Sequence, residues 1–145
     1  MKREIIVEII SFLLIALFAY AAINKFLDIE TFKAQAGQSP LISFAASWIV
    51  YAVPGIELML CGLLSFPKTR LTGLYGSFVL MNLFTGYIIS ILWFSYYVPC
   101  SCGGILEKMG WTEHLIFNIV FVLLSLTGIV LSYERNAWHF RTDTL

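Results

Sequence analysis

Apolar residues in this chain come in four long runs, 5–26, 44–66, 71–96 and 112–133, separated by short polar stretches. A hydrocarbon core is crossed by roughly 20 helical residues, so each run is long enough to span a bilayer. Backbone N–H and C=O groups in lipid must be satisfied within the span. The pattern therefore predicts an all-α, integral membrane four-helix bundle. The spans use up nearly the whole chain and predict one transmembrane domain over residues 1–145. The first run is longer than a signal-peptide core and lacks a small-x-small cleavage site, so it is expected to stay in the membrane.

The polar punctuation predicts the rest. Residues 1–8 read as an amphipathic lead-in whose Lys2 and Arg3 favour anionic headgroups. Between the first two spans, Asp28-Ile29-Glu30-Thr31-Phe32-Lys33 predicts a short helix lying along the interface over the bundle end, and Gly37-Gln38-Ser39-Pro40 reads as a turn. Phe66-Pro67-Lys68-Thr69-Arg70 is a tight turn into the third span. Gly73, Gly76 and Gly86 on that span would let neighbouring backbones approach closely. Trp93 to Tyr97 form an aromatic belt. Thr112 is the expected N-cap of the last span, with Glu113 in its first turn, and the polar tail is expected at the headgroups.

Composition agrees: 59% of residues are hydrophobic and 12% charged, with a mean hydropathy of +0.85. A formal net charge of zero offers no basic surface for nucleic acid. No Gly-rich phosphate loop or His-rich zinc pattern occurs. The nine Lys and Arg residues are unevenly placed. Lys2, Arg3, Lys68, Arg70, Arg135 and Arg141 lie on one side, against Lys25, Lys33 and Lys108 on the other. Positive residues are retained in the cytoplasm, so both termini are expected there. Cys100 and Cys102 then face the compartment in which disulfides persist.

Chemistry concentrates in Val98-Pro99-Cys100-Ser101-Cys102-Gly103-Gly104. Two cysteines at i, i+2 close only a small, strained ring, and a strained disulfide is oxidising and exchanges readily. The flanking Pro and Gly residues suit a backbone that opens and closes. Attack requires thiolate, which Lys25, Lys108 or a protonated His114 would favour. His114 begins the last span level with the thiols, and Asn118 follows one turn deeper on the same face. A bracing disulfide is one alternative, but so small a loop stabilises little. Zinc or Cu(I) on two thiolates plus His114 is another, with only three ligands in view. His114 also reads simply as a polar helix-end residue.

Inside the spans, Glu57 is a functional candidate because an ionisable group in lipid needs a partner. By a rise of ~1.5 Å per residue it lies about 14 Å from the cytoplasmic end, and Asn82 about 16 Å. The matched depths predict a contact between Asn82 and a protonated Glu57, as bundle glue or proton relay. Asn24 and Lys25, at the outer end of the first span, read either as a snorkelling anchor or as a site that steadies a thiolate. Cys61 lies roughly 25 Å from the outer end of its span, too far to pair with the other thiols, and reads as a buried small apolar residue.

Three motifs carry a likeness that covers nearly the whole chain: Asn24-Lys25-Phe26-Leu27-Asp28, Pro54-Gly55-Ile56-Glu57-Leu58, and Pro99-Cys100-Ser101-Cys102-Gly103 before the last span. The chain resembles the MauE/DoxX-type redox-associated membrane proteins and, more loosely, the quinone-linked oxidases of the DsbB and vitamin K epoxide reductase kind. The resemblance implies disulfide formation or transfer with a thioredoxin-like partner or client thiol protein, as in maturation of a disulfide-rich enzyme subunit. It implies the bacterial cytoplasmic (inner) membrane, with Cys100 and Cys102 on the periplasmic side. Those oxidases use two cysteine pairs where this chain has one, and many relatives carry an arginine where the last span here offers His114 and Asn118.

The expected function is thiol–disulfide exchange. One of Cys100 and Cys102 attacks, the other resolves, and His114, Asn24 and Lys25 tune the site. Electrons would pass to an acceptor such as a quinone packed against Trp93, Tyr96, Tyr97 and Trp111, unless these are plain interface anchors. The competing reading is a non-enzymatic accessory subunit that holds a larger membrane or secretion complex together.

Overall fold

The computed structural model describes residues 2–39, 42–94 and 110–142, with side chains as far as Glu134. Among these residues the fold is all-helical: α1 (Lys2–Leu27), α2 (Ile29–Gln38), one 3₁₀ turn (Ser43–Ala45), α3 (Ala46–Ser65), α4 (Arg70–Phe94) and α5 (Trp111–Thr142). Four helices are long and apolar enough to cross a membrane: α1, α3 with its preceding turn, α4, and α5 as far as Glu134. Residues 2–8 belong to α1 and do not form a separate lead-in, and α5 continues two turns past the apolar run into the tail.

The four long helices form an up-and-down ring. α1 packs on α3 and α5, α4 packs on α3 and α5, and α1 and α4 sit diagonally. Surface ion pairs mark one end, Arg3 Nη1 to Glu134 Oε2 at 2.7 Å and Arg70 Nη1 to Glu8 Oε1 at 3.8 Å. Such exposed pairs contribute only about 0–1 kcal/mol each, but they place the start of α1, the start of α4 and the late part of α5 together. The opposite end carries α2, the start of α3, Phe94 and Trp111.

The core follows helical periodicity. Val7, Ile10, Leu14 and Phe18 form a stripe on α1 that meets Leu60 and Leu64 of α3, Leu74, Leu80 and Met81 of α4, and Ile129 of α5. Phe12, Met59, Leu83 and Leu123 point outward, where lipid is as apolar as they are. Close packing, not transfer from water, therefore holds the helices together. Buried serines fit this interior because each hydroxyl donates to its own helix: Ser11 to Val7 O (2.7 Å), Ser77 to Gly73 O (2.7 Å) and Ser125 to Val122 O (2.8 Å). Of the three glycines expected to allow close approach, Gly73 and Gly76 do face α3, whereas Gly86 faces open space. Cys61 is half-buried rather than buried, and its Sγ donates weakly to Ile15 O at 3.6 Å.

α2 departs most from expectation. Asp28 caps it by accepting from Thr31 N at 3.3 Å, and its helical turns run through Gly37 and Gln38, past the expected turn. Phe32 and Ala36 are buried against Ala46 and Val50. Ser39, held extended at ψ 124° as the residue before a proline must be, is fully buried, and its Oγ accepts from Tyr87 OH at 2.9 Å. Tyr87 lies about 10 Å inward from the end of α4. The short helix thus packs into the bundle end, because its two inward positions carry an aromatic ring and a small residue that fit beside α3. Tyr87→Phe should lower stability by about 1 kcal/mol and speed amide exchange in α2; unchanged exchange would dissociate the contact from the docking of α2.

The start of α5 is also corrected. Gly110, not Thr112, is the cap: its N–H donates to Glu113 Oε2 at 3.0 Å and its carbonyl accepts from His114 N at 2.9 Å. The acidic side chain reaches back one turn to serve a free backbone donor. Thr112 is left exposed inside the first turn.

Candidate functional site

Periodicity sends two charged residues inward. On α1 the buried positions Leu14, Phe18, Ala22 and Lys25 step by four, four and three. On α3 the buried stripe Val50, Pro54, Glu57, Leu60 and Leu64 steps by four, three, three and four. Lys25 Nζ meets Glu57 Oε1 at 2.6 Å, with the two side chains 8% and 1% exposed. Phe32 of α2 and Phe84 of α4 flank the ammonium, their ring centroids 5.9 and 5.7 Å from Nζ. The ammonium is thereby held by a carboxylate and by the negative faces of two rings.

This pair overturns two expectations. Lys25 does not snorkel to the headgroups, because α2 folds over its stem and the Glu57 carboxylate draws it inward. Asn82 does not contact Glu57. It is exposed on α4 and its Nδ2 donates to Phe78 O at 2.8 Å. Its depth matches, but its helical phase does not: Leu80 and Met81 take the inward positions. Asn82→Leu is accordingly expected to leave stability and activity within about 0.5 kcal/mol of wild type, as for surface changes generally; a large loss in a denaturation assay would reinstate the contact.

A cavity of about 380 Å³ lies beside the pair. Lys25, Glu57, Tyr87, His114 and Asn118 supply its polar groups, and Phe18, Phe32, Phe84, Trp111 and Phe117 its rings. His114 and Asn118 are both buried, one turn apart on the inward face of α5. Glu57 Oε2 is buried with no hydrogen-bond partner among the described residues. A buried acceptor with no donor among the described residues is costly unless something else donates to it.

The remaining sequence candidates divide. Asn24 is only half-buried and its Nδ2 turns back to Tyr20 O at 2.9 Å, outside the cavity lining. Trp111 lines the cavity, while Trp93 is 70% exposed and does not, so these two rings face different surroundings. Cys100, Cys102, Tyr96, Tyr97 and Lys108 lie outside the described residues, and with them the alternatives of a bracing disulfide or a metal on the two thiols. Among the described residues no three His, Cys, Asp or Glu side chains come together as a metal site. The sequence reading missed Tyr87, Phe32 and Phe84. Phe32 was legible as the apolar position of a short amphipathic helix; the other two carry no local signal.

Comparison with known proteins adds one match: residues 3–131 match the family model described as methylamine utilisation protein MauE. No curated protein and no solved structure matches the chain.

Proposed function

Since the chain belongs to the MauE family of membrane proteins, associated with methylamine utilisation, we propose that it is a membrane thiol–disulfide exchange protein working through Cys100 and Cys102. One thiolate attacks a disulfide of a thioredoxin-like partner or a client, and the other resolves the mixed disulfide, so that two electrons and two protons move between the pair and the partner. The bundle would sit in the bacterial inner membrane with the thiols on the periplasmic side. Its likeness to DoxX-type proteins remains an expectation of the sequence.

The observation that carries this reading is topological. The thiol-bearing segment leaves α4 at Phe94 and enters α5 at Trp111, and the α5 entry carries His114 and Asn118 into the polar cluster. The charge asymmetry supports the orientation more strongly than the bare count. Lys25 is neutralised inside the bundle and drops out of the headgroup tally, leaving Lys33 and Lys108 against six residues on the other side. Its pairing with Glu57 also makes Lys25 a poor thiolate stabiliser, so that role falls to His114 or Lys108.

Trapping separates this reading from that of an accessory subunit. Cys100→Ala and Cys102→Ala are made singly in cells, and one of them should accumulate a mixed disulfide with a thioredoxin-like protein. If neither does and both support growth as wild type, the exchange role is lost and the accessory role stands. Labelling of Cys100 only by cytoplasmic reagent would reverse the orientation.

A further inference from the structure

The face of α4 that turns away from the bundle is not uniformly apolar. Three side chains carry a carboxylate or a carboxamide deep within the spans: Glu57, Asn82 and Asn118. Glu57 and Asn118 are buried, whereas Asn82 is exposed. It is the middle residue of α4 (Arg70–Phe94), about 18 Å from either end at ~1.5 Å per residue. From that depth its short side chain reaches neither headgroups nor water. One amide proton is used within the helix, since Nδ2 donates to Phe78 O at 2.8 Å. The other proton and Oδ1 are bonded to nothing among the described residues. Hydrocarbon offers no hydrogen bond in exchange, so a polar group left there is costly until another protein surface satisfies it.

Membrane insertion restricts what that surface can be. Two copies of one chain enter the bilayer in the same orientation, so a closed pair has its two-fold axis along the membrane normal. A residue beside the axis then meets its own counterpart at its own depth and must be its own complement. A carboxamide is, because it both donates and accepts. Two of them facing across the axis exchange two N–H···O bonds, using the proton and the Oδ1 that each helix leaves over. The surrounding surface fits. Tyr75, Val79, Asn82, Gly86 and Trp93 are exposed and follow one another at intervals of four, three, four and seven, the spacing along which two helices stay in contact. Gly86, one turn from Asn82, has no atom within 4 Å of where a Cβ would stand. It serves no close approach inside the bundle, and it lowers the surface beside the amide so that a second backbone can come near. We infer that the protein self-associates through the outer face of α4 as a parallel two-fold dimer, with Asn82 of each copy hydrogen-bonded to Asn82 of the other at the middle of the membrane. A lipid chain covers the same face without bonding to the amide. The dimer rests on α4 alone and does not depend on the thiol chemistry.

The test is energy transfer between full-length chains labelled at the N-terminal amine with donor or acceptor and reconstituted in phosphatidylcholine vesicles over a range of protein-to-lipid ratios. Transfer in the wild type is expected to rise to a plateau and there to vary linearly with the acceptor fraction, as a dimer requires. Asn82→Leu keeps the size of the side chain and removes both bonds, and it should raise the dissociation constant about tenfold, the worth of two interhelical hydrogen bonds in lipid. Asn82→Gln retains the amide and should recover most of the association. Gly86→Leu, standing in open space on its own bundle, should weaken association to a similar degree without lowering the unfolding midpoint. Val120→Leu, on the exposed face of α5, should associate as wild type. A wild type that shows only random proximity at every ratio, or folded Asn82→Leu and Gly86→Leu variants that associate as tightly as wild type, would overturn the inference.

Discussion

Lys25→Met alone, or Glu57→Leu alone, is expected to lower the stability of the bundle by about 3–5 kcal/mol, the cost of leaving one buried charge without its partner. The double variant should recover most of that loss, because two apolar side chains of similar size incur no desolvation penalty in a site already lined by Phe18, Leu80 and Met81. Reversible unfolding in mixed micelles, arranged as a double-mutant cycle, measures the coupling directly. Single losses below about 1 kcal/mol, or losses that simply add, would mean that the 2.6 Å contact is not a committed ion pair. The double variant also decides what the pair is for. If it is stable and still gives the mixed disulfide proposed for the wild type, the charges are bundle glue. If it is stable and inactive, they serve the chemistry, since an ionisable pair in lipid is otherwise an expensive way to join two helices.

The existence of four spans follows from length and hydropathy, which the bilayer thickness constrains tightly. Glu57 stood out because a lone acid in an apolar run needs a partner. Depth along the helix alone selects Asn82 as its partner, whereas direction around α4 turns Asn82 away and sends Leu80 and Met81 inward. Lys25 continues the Leu14–Phe18–Ala22 stripe, and Glu57 continues Val50–Pro54; the rule that intramembrane charges pair, combined with helical phase, selects them from sequence alone. What no local pattern reveals is α2. Whether a ten-residue amphipathic helix rests on a membrane or dips into a bundle depends on the space left by α3 and α4. The cavity exists because of that docking, so Tyr87 and Phe84 became site residues only through tertiary structure.

Gly73→Ala is expected to be the most damaging glycine-to-alanine change among the described residues, costing about 1–3 kcal/mol, although alanine is the better helix former. A Cβ at Gly73 would stand 3.0 Å from Leu64 N and 3.1 Å from the Leu63 carbonyl carbon. Both are backbone atoms at the end of α3, and they are fixed by a turn in which Thr69 Oγ1 donates to Leu63 O at 2.8 Å. Relief would require separating α3 from α4, and in lipid the dispersion attraction forfeited by that separation is not replaced by any gain from water. Gly76→Ala should cost less: its Cβ would meet the Cδ2 of Leu60 at 2.5 Å, the end of a flexible side chain that can rotate. Gly86→Ala, facing open space, should be neutral or stabilising by about 0.5–1 kcal/mol, the intrinsic helical advantage of alanine. Unfolding midpoints for the three variants test that order. Equal effects would show that the glycines act through helix propensity alone, whereas a steep ranking from Gly73 to Gly86 assigns the α3–α4 hairpin to backbone proximity.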